Sequence, residues 1–122
     1  MERTLLVGLG GFLGASARYW VGHLISRALP AHFPYPTLWI NITGCFGIGV
    51  LMTLIEERAM LGPDTRLFAV VGILGGYTTF STFGYETVSL IRQGHAIAAL
   101  LNISGQVILG LLAVWLGALS AR

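Results

Sequence analysis

In this chain of 122 residues, 55% are hydrophobic, only 10% are charged and mean hydropathy is +0.79, which leaves too little polar surface to coat a soluble domain. The net charge of +2 rests on arginine alone, and no basic stripe lies outside the apolar stretches, which argues against nucleic acid as a partner. Single Cys45 excludes an intramolecular disulfide, and His23, His32 and His95 are scattered without the spacing of a zinc site.

A membrane span needs roughly 20 apolar residues. Such stretches run over 4–29, 37–55, 67–91 and 96–119, predicting an all-α integral membrane protein with four transmembrane helices in a single domain over residues 1–122. Pro30, Pro34, Pro36 and Pro63 all fall between the stretches, where a missing backbone donor does no harm. Met1-Glu2-Arg3 followed by an apolar run and Ala15-Ser16-Ala17 also resembles a secretory signal, but the run resumes past Arg18 to Leu29, longer than a signal core. Asn41-Ile42-Thr43 and Asn102-Ile103-Ser104 match the glycosylation pattern yet lie inside spans.

In the first span, Gly10 and Gly14 have the GxxxG spacing, Gly11 and Ala15 repeat it, and Gly72 and Gly76 do so in the third. About four helices in one chain can hardly enclose a wide aqueous path, so self-association is expected. Such glycines serve it, or serve close packing within the chain. Arg18 lies near the middle of the first span, where arginine costs about 2.5 to 3.5 kcal/mol to insert, so it needs water or a partner, or a long reach by snorkelling to an interface.

In the second span Thr37, Asn41 and Cys45 recur at intervals of four, with Gly44 beside them, giving one small or polar face. The Asn41 amide suits a pore wall or a hydrogen bond to a neighbouring helix.

The third span carries Gly75-Gly76-Tyr77-Thr78-Thr79-Phe80-Ser81-Thr82-Phe83. Glycine loses about 1 kcal/mol of helix propensity against alanine, and hydroxyl side chains compete for backbone bonds, so the helix is predicted to break near Gly75–Thr79, at the diglycine. Phe80 and Phe83 share a face, with Thr79, Thr82 and Glu86 on an adjacent one. Phenyl edges are electropositive and can attract an anion without trapping it. Packing is the commoner use of such rings; their interleaving with Ser81 and Thr82 favours ligand contact. Asn102 and Gln106, four apart, give the fourth span a donor-rich stripe.

If the spans alternate, Arg3, Arg58, Arg66 and Arg122 lie on one side and Arg27 and Arg92 on the other. So small a bias allows insertion both ways round, or a single orientation weakly encoded.

Residues 11–19, 37–46 and 75–83 with Glu86, in that order and spacing, closely resemble the motifs of the Fluc (CrcB) fluoride channels. The resemblance implies an antiparallel, dual-topology homodimer in the cell (inner or plasma) membrane, with two fluoride pathways and a central structural sodium ion. Carried over by position, Asn41 is the pore-lining amide, Phe80 and Phe83 the aromatic box, and Ser81 and Thr82 the hydroxyl donors. Arg18 would lie at the vestibule, and the backbone carbonyls of Gly75 and Thr78 would hold the sodium. The family usually has tyrosine and serine where this chain has Asn102 and Gln106, which remain polar and are kept in the pathway.

The implied activity is passive fluoride export, with fluoride, membrane lipid and a second copy of the chain as partners. No nucleotide or enzyme motif appears. Two alternatives compete with this reading. A proton-coupled small-multidrug-resistance transporter expects a glutamate in the first helix, where this chain has Arg18. A non-conducting assembly subunit would tolerate apolar residues at Asn41 and Thr82.

Overall fold

A computed structural model describes all 122 residues as an all-helical chain without strands. The helices are α1 (Glu2–Ala28), α2 (Tyr35–Glu57), α3 (63–77), α4 (Phe80–Arg92) and α5 (Ala96–Ala121). Three helical stretches are long and apolar enough to cross a membrane: Tyr35–Glu57, Pro63–Arg92 and Ala96–Ala121. The 27-residue α1 is not among them, because Arg18 and a run of glycines dilute its apolar character.

The interruption between α3 and α4 falls where hydroxyl side chains can replace backbone partners. Gly75 and Gly76, expected to break the helix, are helical. Thr78 (φ −80°, ψ 158°) and Thr79 (φ −150°, ψ 116°) are extended instead. β-branched residues adopt extended backbone readily, and both hydroxyls close the flanking ends. Thr78 Oγ1 donates to Leu74 O at 2.9 Å, and Thr79 Oγ1 accepts from Thr82 N at 3.3 Å.

The glycine pairs answer to packing within the chain. A Cβ built on Gly72 would meet Gly10 Cα at 2.8 Å, and one on Gly76 the Gly11 carbonyl oxygen at 2.6 Å. Only bare backbone lets α1 and α3 approach so closely. α2 and α5 cross in the same way, with Gly49 against the Val114 carbonyl and Gly117 against the Phe46 carbonyl. The GxxxG spacings at Gly10/Gly14 and Gly72/Gly76 are therefore occupied inside one chain.

Only 16 of 122 residues are buried, while Phe12, Trp20, Leu111 and Trp115 are exposed, so the apolar exterior is suited to lipid and the interior is held by small and polar residues. At one end of the bundle Arg122 pairs with Glu57 at 3.0 Å, Arg3 lies 3.8 Å from Asp64, and Arg58 donates to the Ala121 carbonyl at 3.2 Å. The Glu57 hydrogen bond and charge push the Arg122 guanidinium up from its ordinary value.

Candidate functional site

Asn41 closes the interrupted helix onto α2. Its Oδ1 accepts from Thr79 N at 2.8 Å, and its Nδ2 donates to Thr79 O at 3.0 Å and to Gln106 Oε1 at 3.0 Å. One side chain thus satisfies both backbone groups of Thr79 and reaches α5. Gly44, one turn along α2, makes room for this: a Cβ there would collide with the Thr78 methyl group.

A cavity of about 380 Å³ opens beside the interruption. Its walls include Asn41, Cys45, Thr79, Phe80, Phe83 and Gln106. The Phe80 and Phe83 rings sit edge to face, with centroids 5.4 Å apart and planes at 66°. Phe80 is 80% exposed in the single chain, so its ring is open to whatever packs or moves against this face.

The structure brings together Asn41, Phe80, Phe83 and Gln106, with Gly75 and Thr78 in the same wall. Ser81 and Thr82 stand next to it on the first turn of α4, both exposed and both within reach of Thr79 Oγ1, at 3.4 and 3.0 Å. Asn102 and Arg18 lie elsewhere. Asn102 is fully buried: its Nδ2 donates to Thr87 Oγ1 at 3.0 Å, and Thr87 Oγ1 donates to Phe83 O at 2.8 Å. Asn102 therefore braces the helix behind Phe83. Arg18 is half-buried on α1 and lines neither of the two larger cavities.

Gly75 and Thr78 are suited to a cation by the diversion of their helical partners. In an unbroken helix the Gly75 carbonyl would accept from Thr79 N–H, and the Thr78 carbonyl from Thr82 N–H. Here Thr79 N–H bonds Asn41 and Thr82 N–H bonds Thr79 Oγ1, so both carbonyls keep lone pairs to offer.

Three further residues, Thr37, Thr87 and Cys45, contribute to the site without a motif that assigns them a role. Thr37 Oγ1 donates to Glu86 Oε1 at 2.8 Å, fixing the Glu86 carboxyl group between α2 and α4. Thr87 relays Asn102 to Phe83, and Cys45 lines the cavity. Thr37 and Cys45 share the four-residue spacing of Asn41, which was the signal available. Glu86 also lines a second cavity of about 700 Å³ at one end of the bundle, together with His32 and His95.

An all-helical chain with an apolar exterior and three helical stretches able to cross a membrane, with a cavity beside an interrupted helix, is an integral membrane protein. The family model described as CrcB-like protein, Camphor Resistance (CrcB), matches residues 5–118. Among similar chains, a protein named fluoride-specific ion channel FluC from Solibacter usitatus is 50% identical over 120 residues, covering 98% of each chain. Proteins of that name from Acidobacterium capsulatum (49% identity; 94% of this chain and 92% of theirs) and Thermus thermophilus (48%; 96% and 93%) are also similar. The chain belongs to the CrcB family.

Proposed function

We propose that the protein is a passive, fluoride-selective ion channel of the cell (inner or plasma) membrane rather than an enzyme. The observation that carries this reading is the cavity in which a carboxamide pair and two phenyl rings meet at the interrupted helix. Relatives bearing the fluoride-channel name align over nearly their whole length, which supports fluoride as the anion.

Fluoride is small and strongly hydrated, so a conducting wall must replace its water with donors that hold it weakly enough to let go. Amide and hydroxyl protons do this at Gln106, Ser81 and Thr82. The phenyl edges of Phe80 and Phe83 add attraction without a full charge. Asn41 fixes the wall, Asn102 supports it from behind, and Arg18 draws anions toward an aqueous mouth. All four helical rods span the bilayer, α3 and α4 together forming the third.

Two copies pack antiparallel, which the weak arginine bias permits. Where a sodium ion binds, the Gly75 and Thr78 carbonyls would hold it, and it would supply fixed positive charge between the subunits. The test is fluoride efflux from liposomes containing the purified protein, followed with a fluoride electrode. Efflux well above that of protein-free liposomes is expected; no difference between the two overturns the reading.

A further inference from the structure

The hydrogen bonds around Asn41 fix a direction that the amino-acid types alone leave open. A carboxamide has two faces, one donating and one accepting, and can present either. Backbone groups cannot be reversed. Thr79 N–H can only donate, so the Asn41 atom facing it at 2.8 Å is the oxygen. Thr79 O can only accept, so the atom facing it at 3.0 Å is the nitrogen.

That nitrogen has a second proton, which goes to Gln106 at 3.0 Å, and the Gln106 atom receiving it is the oxygen. Asn41 then has no proton left to offer. Gln106 Nε2 remains with both of its protons, buried and without a partner, in a residue that lines the cavity with Phe80 and Phe83.

We infer that Gln106 is the amide that meets the permeating anion, and that Asn41 is a positioning residue which holds Gln106 with its donor side free. This rests on the fluoride-channel reading and deepens it. A buried amide donor left unpaired costs free energy, and a small anion in the cavity is the partner whose charge removes that cost most fully. The direction originates in the interruption itself. Had Thr79 continued the helix, its N–H would have bonded Gly75 O and nothing would have fixed which way Asn41, and then Gln106, faces.

Two substitutions separate a contact from a structural role. Gln106→Met keeps the length and removes the donor. Gln106→Glu keeps the shape and the bond from Asn41 but turns the free atom into a carboxylate oxygen, which repels anions when ionised and donates O–H when protonated. Fluoride current across a planar bilayer is the readout, because neutral HF carries no current.

The parent should conduct across the whole pH range. Gln106→Met should lose current at least about tenfold at every pH, the cost of one hydrogen bond to a charged partner. Gln106→Glu should be silent near pH 8 and regain current as the pH falls toward about 5. A Gln106→Met channel within about twofold of the parent, or a Gln106→Glu current that ignores pH, overturns the inference. A parent that carries no fluoride current overturns the channel reading instead.

Should either variant fail to assemble, the parent decides alone. It contains only two glutamines, Gln93 and Gln106, and two asparagines, Asn41 and Asn102. With their side-chain amides ¹⁵N-labelled, a fluoride titration should move the Gln106 protons most. The largest shift on Asn41 instead, or none on either residue, contradicts the assignment.

Discussion

Replacing each asparagine by leucine, which has the same heavy-atom branching, separates the load each one bears. Asn41→Leu removes three hydrogen bonds and leaves Thr79 N–H, Thr79 O and Gln106 Oε1 without their partner. Interhelical bonds in membrane proteins average about 0.6 kcal/mol, which sets a floor near 2 kcal/mol for the three. Orphaned buried groups cost about 1 to 3 kcal/mol each, which sets a higher ceiling. Gln106 can turn to find another donor, but Thr79 N–H is held where the helix is interrupted, so the loss should exceed the floor.

Asn102→Leu removes one bond, to Thr87, whose hydroxyl still donates to Phe83 O. It also removes Asn102 Oδ1, a buried acceptor that has no partner already, so these effects oppose each other and the net change should stay within about 1 kcal/mol. Denaturant titration of the reconstituted protein, read by tryptophan fluorescence, measures both. A cost for Asn102→Leu equal to or above that of Asn41→Leu would mean that Asn41 does not carry the greater load.

Phe80→Ile and Phe83→Ile, made singly, keep apolar bulk and remove the ring edge, so fluoride flux should fall steeply in at least one while size-exclusion chromatography shows normal assembly. Two well-assembled variants that conduct like the parent would make the rings packing residues. Gly76→Ala places a methyl 2.6 Å from the Gly11 carbonyl, with backbone on both sides, and should cost about 1 to 3 kcal/mol. Gly8→Ala, with nothing within 4 Å in the chain, should lose no stability, and melting temperatures in detergent compare the pair. Arg122→Ala breaks only an exposed ion pair and should leave the melting temperature nearly unchanged in high salt.

The all-helical architecture was legible because apolar length and proline placement both follow from what a bilayer tolerates. The interruption was legible in place but not in cause. Glycine's low propensity pointed to Gly75-Gly76, whereas these two stay helical and two threonines, with Asn41 to receive the freed backbone, carry the extended segment. Four-residue spacing showed that Thr37, Asn41 and Cys45 share a face, and likewise Asn102 and Gln106. It could not show what stands opposite each face.

Asn102 and Gln106 sit one turn apart, yet one is fully buried behind Phe83 and the other lines the cavity. The glycine motifs were equally silent on whether the second helix belongs to the same chain. The direction of the Asn41 and Gln106 amides was illegible for a chemical reason: a carboxamide both donates and accepts, and only the backbone of Thr79 decides between them.

Selective conduction of fluoride can be measured as paired efflux from one liposome preparation loaded with both fluoride and chloride. A donor-lined wall favours the smaller, more strongly hydrogen-bonding halide. Fluoride should leave rapidly, with chloride retained at the level of protein-free liposomes. Comparable fluoride and chloride efflux through the protein would contradict selective conduction.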